Sequence, residues 1–209
     1  STVPEAIRLP EDVQVESGHD GLGEQEALSK LRNIMSKNKV YKSFIGNGFH
    51  DTVVPEVIKR NILEHPGWYT AYTPYQAEIS QGRLEMLLNF QTMVTDLVSM
   101  DVCNASLLDE ATAAAEAMQM CISTAKKRNK FFVSDRVAQH TINLLQTRAE
   151  PIGVDVVVGS PDSVDFSAND FAGAMVQYPD TFGRTEDWAA FSDRAHDSST
   201  LVVACTDLM

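Results

Sequence analysis

Tyr72, Tyr75, Gln76 and Glu78 are the residues of this chain best suited to chemistry. They lie together in the sixteen-residue run from Trp68 to Arg83, WYTAYTPYQAEISQGR. The run fits neither a helical nor a strand period, and it carries more hydrogen-bonding side chains than packing alone requires. Tyrosine hydroxyls and a glutamine amide can orient a small carboxylate, and a glutamate can place a proton or a water. The plainer alternative is a packed aromatic loop. A second place of interest is the run Ser106-Leu-Leu-Asp-Glu-Ala, where Ser106 and Asp109 fit a capping box opening a helix at Ala111. Asp109 and Glu110 there face the partial positive charge of the helix start. Their charges repel any phosphate approaching the same place, by about 1 kcal/mol per pair at 4 Å in water and more where water is excluded.

The elements that must hold these groups are legible from periodicity. Glu24 to Met35 predicts a helix with Ala27, Leu28, Leu31, Ile34 and Met35 on one face. Pro55 suits the first position of a second helix, ending near Glu64 before Pro66-Gly67. Leu84 to about Ser99 and Ala111 to Thr124 predict two more helices, and Glu11 to Gly23 a glycine-containing loop or arm. From Phe131 the pattern changes to short β-rich runs: Phe131-Phe-Val-Ser, Val154-Asp-Val-Val-Val, Ala174-Met-Val-Gln-Tyr and Leu201-Val-Val-Ala-Cys. Helical segments near His140 to Gln146 and Glu186 to His196 separate two of the gaps, while the gap after Gly159 is less regular. Strands alternating with helices predict an α/β fold whose mostly parallel sheet is covered on both faces.

Bulk properties narrow the function classes. The chain has 209 residues, enough for one sizeable core or one domain with an arm, and 44% of them are hydrophobic. No apolar run approaches the roughly 20 residues of a membrane span. A formal net charge of -12 argues against nucleic-acid binding. Cys103, Cys121 and Cys205 are odd in number and far apart, which points to a reducing compartment and not to a disulfide framework. The five histidines show no metal-ligand spacing, so no metal is expected. Gly46-Asn-Gly lacks the third glycine and the preceding strand of a dinucleotide fingerprint; it predicts a plain turn. The opening on Ser1, with no signal or transit sequence visible, and the stop just after an apolar run predict a fragment of a longer polypeptide.

The run Trp68-Tyr-Thr-Ala-Tyr-Thr-Pro-Tyr-Gln-Ala-Glu-Ile-Ser-Gln-Gly-Arg-Leu-Glu resembles the signature of the glycine-cleavage P-protein family, pyridoxal-phosphate-dependent glycine decarboxylases. Asn104-Ala-Ser-Leu-Leu-Asp-Glu-Ala, Val176-Gln-Tyr-Pro-Asp-Thr, Ile45-Gly-Asn-Gly-Phe, Gln146-Thr-Arg-Ala and Cys205-Thr-Asp-Leu also resemble family blocks, in order, over nearly the whole chain. The resemblance implies the aspartate-aminotransferase-like fold (fold type I), with residues 1–66 an N-terminal arm with helices and 67–209 part of the major domain, truncated at its carboxyl end. It implies decarboxylation of glycine through pyridoxal phosphate and transfer of the aminomethyl group to the lipoyl arm of H-protein. The family has two homologous halves, of which only the second carries the Schiff-base lysine, and this chain resembles the first. Its last lysine is Lys130. Asp207 stands where the acid facing the pyridine nitrogen belongs, so Ser106, Asp109, Glu110 and Asp207 read as a pseudo-site and the cofactor is expected on the other half.

On this reading Tyr72, Tyr75, Gln76 and Glu78 are active-site contributors, or else they only stitch the halves together within a non-catalytic docking domain. A homodimer of the full protein is implied, in the mitochondrial matrix of a eukaryote or the cytoplasm of a bacterium. Two departures stand out. The family's Cys-His-Pro-Gln-Thr block is here Val137-Ala-Gln-His-Thr, which puts Ala138 at the histidine position and makes His140 a surface or capping residue. Thr181-Phe-Gly also replaces the more usual Thr-Glu-Gly.

Overall fold

The structure, a computed structural model, describes residues 2–8, 21–69, 73–125 and 127–208. It falls into two compact units, Ser1–Phe44 and Ile45–Met209. The smaller contains a short 3-10 turn at Glu5–Ile7 and helix α1, Glu24–Met35. Glu26 accepts a bond from the Gly23 N–H at 3.2 Å, half of a capping box whose other half a glycine cannot supply. The expected apolar stripe is there, and Leu28, Leu31, Ile34 and Met35 are exposed on it. Most of the loop expected at Glu11 to Gly23 lies outside the described residues.

The larger unit begins with α2, Glu56–Ile58, which Pro55 caps and which continues as a π-helical turn over Lys59–Leu63. Helix α3, Gln81–Val98, starts three residues before the expected Leu84. Gly82 sits in its first turn and makes that start possible. A Cβ there would lie 1.6 Å from the Gly67 carbonyl oxygen, so α3 packs directly on the turn at Gly67. The signature run is therefore pinned shut at its base by a backbone contact that no other residue permits.

Helix α4 spans Glu110–Ala125 and is followed by strand β1, Lys130–Ser134. Helix α5 (Gln139–Ala149), β2 (Asp155–Gly159), β3 (Phe171–Tyr178), α6 (Ala189–Asp197) and β4 (Leu201–Thr206) complete the unit. All four strands are parallel, in the order β2-β1-β3-β4. Each expected strand is present within three residues of its predicted start.

Side chains alternate across a strand, and the core divides accordingly. Phe131, Val133, Met175 and Cys205 point to one face, where Ala114, Ala115, Met118 and Cys121 of α4 and Ile142 and Leu145 of α5 cover them. Phe132, Ala174 and Val176 point to the other, where Phe191 and Ala195 of α6 cover them. The β2–β3 connection has no helix. Phe166 from that connection takes its place, edge-on to Phe132 at 6.2 Å and to Phe171 at 5.6 Å. Each buried aromatic contributes about 1.5–3 kcal/mol by leaving water.

Gly173 in β3 lets α4 come close: a Cβ there would meet Phe131 at 2.7 Å and Cys121 Sγ at 2.8 Å. At the opposite end from the functional site, Arg128 donates to the carbonyls of Phe171 (3.0 Å), Ser198 (3.0 Å) and Ser199 (2.8 Å). One guanidinium thus ties the start of β3 to the turn that leads into β4.

Candidate functional site

In an open parallel sheet, ligands bind outside the carboxyl ends of the strands, where successive loops converge. Here that edge holds a pocket of about 490 Å³. Gln177 and Tyr178 reach it from the end of β3, and Cys205, Thr206 and Asp207 from the end of β4. The β3 exit supplies Pro179, Asp180, Thr181 and Gly183, the start of α4 supplies Glu110, and the turn after Ile45 supplies Asn47, Gly48 and His50. The two strand exits are joined by the Asp207 N–H, which donates to the Tyr178 carbonyl at 3.1 Å.

The turn at Gly46-Asn47-Gly48 is the plain one expected. All three residues have positive φ, 68°, 56° and 83°, and Phe49 N–H closes it on the Gly46 carbonyl at 3.0 Å. That left-handed run presents Asn47 and Gly48 to the pocket.

The start of α4 differs from the expected capping box. Asp109, not Ser106, is the cap: its carboxylate accepts from the Thr112 N–H at 3.1 Å and from the Thr112 hydroxyl, while its own carbonyl takes the Ala113 N–H at 3.0 Å. The helix begins one residue earlier than predicted, which moves Asp109 into the cap position and leaves Ser106 exposed three residues ahead of it. The Thr112 hydroxyl, then the Thr112 N–H, hold the Asp109 carboxyl below the usual carboxylate range, with a smaller contribution from His140. With Asp109 occupied by its own helix, Glu110 is the residue that faces the pocket. Cys205 beside it is buried. Burial, helped by the Glu110 charge, pushes its thiol up to about 12.

Asp180 is the best-determined polar group of the site. It is only 5% exposed, and its Oδ1 accepts from the backbone N–H of Phe182 (2.8 Å) and Arg184 (2.9 Å). Its Oδ2 is buried with no hydrogen-bond partner among the described residues. Gln177 is fixed as well, its Oε1 accepting the Ala138 N–H at 2.8 Å. Ala138 is buried at the start of α5, and His140 lies two residues on, exposed and 5.4 Å from the Phe49 ring.

Of the residues singled out from the sequence, Glu110 and Asp207 meet at the pocket, while Ser106 and Asp109 are not among its lining residues. Tyr72 lies outside the described residues. Tyr75, Gln76 and Glu78 are exposed, Tyr75 at 89%, and none of the three lines the pocket. Asn47, His50, Gln177, Asp180, Thr181 and Thr206 were given no role from the sequence. Most of them carry a signal: Asp180, Thr181 and Thr206 follow β-rich runs, Gln177 lies in one and Asn47 sits in the Gly-Asn-Gly turn, while His50 has none. Among the described lining residues there is no lysine and no arginine, and three carboxylates. No described helix is long and apolar enough to cross a membrane.

Comparison with known proteins adds the family. The profile of the glycine cleavage system P-protein matches residues 1–209. A relative from Synechocystis, named glycine dehydrogenase (decarboxylating), is 52% identical over 98% of this chain and 20% of its own length. One from Dictyostelium discoideum, named as the mitochondrial form, is 53% identical over 100% of this chain and 21% of its own length; the mitochondrial form of Mus musculus is 51% identical. A crystal structure of glycine decarboxylase (P-protein) of the glycine cleavage system, in inhibitor-bound form, superposes with a TM-score of 0.84 at 29% identity. It covers 99% of this chain and 47% of that one. The four-stranded parallel sheet is thus part of the fold-type-I architecture implied by the resemblance. This chain belongs to the glycine cleavage system P-protein family and spans about a fifth of the length of the curated relatives it matches.

Proposed function

We propose that this chain is the part of a glycine-decarboxylating P-protein that lacks the Schiff-base lysine and supports the half that carries it. The family depends on pyridoxal phosphate, and the intact protein would use it to release carbon dioxide from glycine and pass the aminomethyl group to the lipoyl arm of H-protein. The observation that carries the assignment to this half is the chemistry of the pocket. A pyridoxal-phosphate site of this fold needs a lysine, and open N–H groups at a helix start for the phosphate. Here the described lining residues include no lysine, Asp109 already takes the Thr112 N–H, and Glu110 adds a negative charge where the phosphate would sit. At 4 Å each unit charge pair costs about 1 kcal/mol in water and more where water is excluded. The residues present do not fit the cofactor, so no step of the reaction is assigned to this pocket.

What the chain contributes is then positioning. Residues 1–66 serve as an arm and 67–209 as part of a major domain. The segment that follows Tyr72, held at its base by Gly67 and Gly82, presents Tyr75, Gln76 and Glu78 toward the active site of the lysine-bearing half. There the tyrosine and glutamine groups orient the glycine carboxylate, and Glu78 holds a proton or a water. The exposure of Tyr75, Gln76 and Glu78 also favours a second reading, in which the run only joins the two halves. The full protein is a homodimer on this proposal. It works in the mitochondrial matrix where the source is a eukaryote and in the cytoplasm otherwise.

Two measurements test it. Pyridoxal phosphate mixed with the folded chain, with or without glycine, should show no change in its absorbance band; a shifted band defeats the proposal. In the full-length protein, Glu78→Gln and Tyr75→Phe should lower kcat for glycine decarboxylation by tenfold or more, about 1.4 kcal/mol each. An unchanged kcat with weakened association of the halves would favour the joining role instead.

A further inference from the structure

We infer that His65 is a positioning residue: its imidazole caps the turn against which α3 starts, and so sets how Tyr75, Gln76 and Glu78 are presented. The effect on the reaction rests on the role proposed above for those three side chains. The hold on the turn does not. Nδ1 of His65 accepts the Gly67 N–H at 2.9 Å. The carbonyl of the same residue accepts the N–H groups of Trp68, at 3.0 Å, and Tyr69, at 3.4 Å. One residue thus accepts three consecutive backbone N–H groups, which is the work of a helix N-cap. Pro66 follows it and has no N–H to satisfy, as suits the first position after a cap. Aspartate, asparagine, serine and threonine are the usual caps. Imidazole can do the same only when neutral with its proton on Nε2, because a protonated Nδ1 cannot accept. Gly67 leaves the room that the ring needs: a Cβ there would meet His65 Cε1 at 2.7 Å and Nδ1 at 2.9 Å.

Gly67 also carries the effect onward. A Cβ on Gly82 would lie 1.6 Å from the Gly67 carbonyl oxygen, so a shift of the capped turn displaces the first turn of α3. The segment from Thr73 to Ser80 runs into that helix with little slack. Ile79 and Ser80 both donate to the Gln76 carbonyl at 3.2 Å, and the Leu84 N–H donates to the Ser80 carbonyl at 2.9 Å. Ser80 itself is 1% exposed, which fixes the end of the segment on the protein. His65, Pro66 and Gly67 are exposed by contrast, so hydrogen bonds and not burial hold the turn. The bond to Nδ1 is the one among them that depends on a side chain.

The test compares the full-length protein with its His65→Ala, His65→Leu and His65→Asn variants, and uses Glu78→Gln as the reference for the segment. Leucine keeps the bulk and loses the acceptor, while asparagine keeps an acceptor for the N–H two residues on. Hydrogen exchange read by mass spectrometry should be faster around Gly67 and Gly82 in His65→Ala and His65→Leu, and close to the parent in His65→Asn. The first two should lower kcat for glycine decarboxylation about threefold, in the range of one lost cap, and asparagine should restore most of it. Exchange that ignores the loss of the acceptor would show that His65 does not hold the turn. A loss of kcat in all three His65 variants alike would assign the effect to the ring's shape and refute the acceptor. Unchanged kcat in His65→Ala, beside a slowed Glu78→Gln protein, would remove the positioning role alone. An unimpaired Glu78→Gln protein would remove the function proposed for the segment, and the role of His65 in the reaction with it.

Discussion

Gly173→Ala is the sharpest test of how the sheet and α4 fit together. The new methyl would lie 2.7 Å from Phe131 Cε2, 2.8 Å from Cys121 Sγ and 2.9 Å from Cys121 Cβ. Ordinary contact is near 3.4 Å or beyond, so the overlap is about 0.5–0.7 Å on two sides at once. Neither neighbour can yield easily. Phe131 is fully buried on β1, and Cys121 is 2% exposed on the face of α4. Overpacking of this kind costs about 1–3 kcal/mol, and the stiffer unfolded chain of an alanine returns about 0.4–1 kcal/mol. A net loss of about 1–2 kcal/mol is expected, with the melting temperature lowered by about 2–8 °C for a unit of this size. Urea denaturation followed by circular dichroism, on Gly173→Ala, Cys121→Ala and the double variant, gives the assay. Removing Sγ takes away one of the three close contacts and leaves the Cys121 Cβ at 2.9 Å, so the double variant should be more stable than the sum of the singles by about 0.5 kcal/mol. A Gly173→Ala protein that melts within 1 °C of the parent, or strict additivity in the cycle, would refute the proposed close approach.

Other outcomes follow from single groups. Burial pushes the Cys121 thiol up to about 11, and burial with the Glu110 charge pushes Cys205 up to about 12, so both stay protonated at pH 8. Iodoacetamide mass mapping of the native protein should label only the half-buried Cys103, and modification of Cys205 without unfolding would contradict the pocket described. Asp109→Ala should lower the melting temperature at pH 7 by removing the α4 cap. Because the folded Asp109 pKa is depressed, its contribution is complete above the unfolded value of about 4 and fades as pH falls through the folded value. The gap between variant and parent should therefore close in acid, and a gap independent of pH would count against the cap. Arg128→Lys replaces a fork that reaches three carbonyls with a single ammonium, and should destabilise the unit by about 2 kcal/mol in a urea titration. An unchanged urea midpoint would remove Arg128 from its place as a tie between β3 and the turn before β4.

The elements and the kinship were legible in the order of the residues alone. Alternating or continuous β-rich runs fixed four strands to within a few residues, because a buried parallel strand must be apolar along its length. Helical spacing did the same for α1, α3, α4 and α5, because one face of each carries the apolar residues. Ordered motif blocks revealed the family without any structure. The absence of lysine after Lys130 and the acids at Asp109 and Glu110 already argued against a cofactor site.

Tertiary structure decided what those acids do. Asp109 and Glu110 are adjacent in sequence, yet one caps its own helix and the other faces the pocket, because the helix starts one residue earlier than its apolar pattern suggests. In the sequence Asp180 is one more polar residue after a β-rich run, and nothing there says that it is buried. Only the turn to Arg184 buries it, and only the parallel crossovers bring it to the same edge as Glu110 and Asp207. The glycines at 82 and 173 follow the same rule. Their letters say only that a side chain is missing, and the space it leaves is defined by partners far along the chain, which periodicity in one dimension cannot encode.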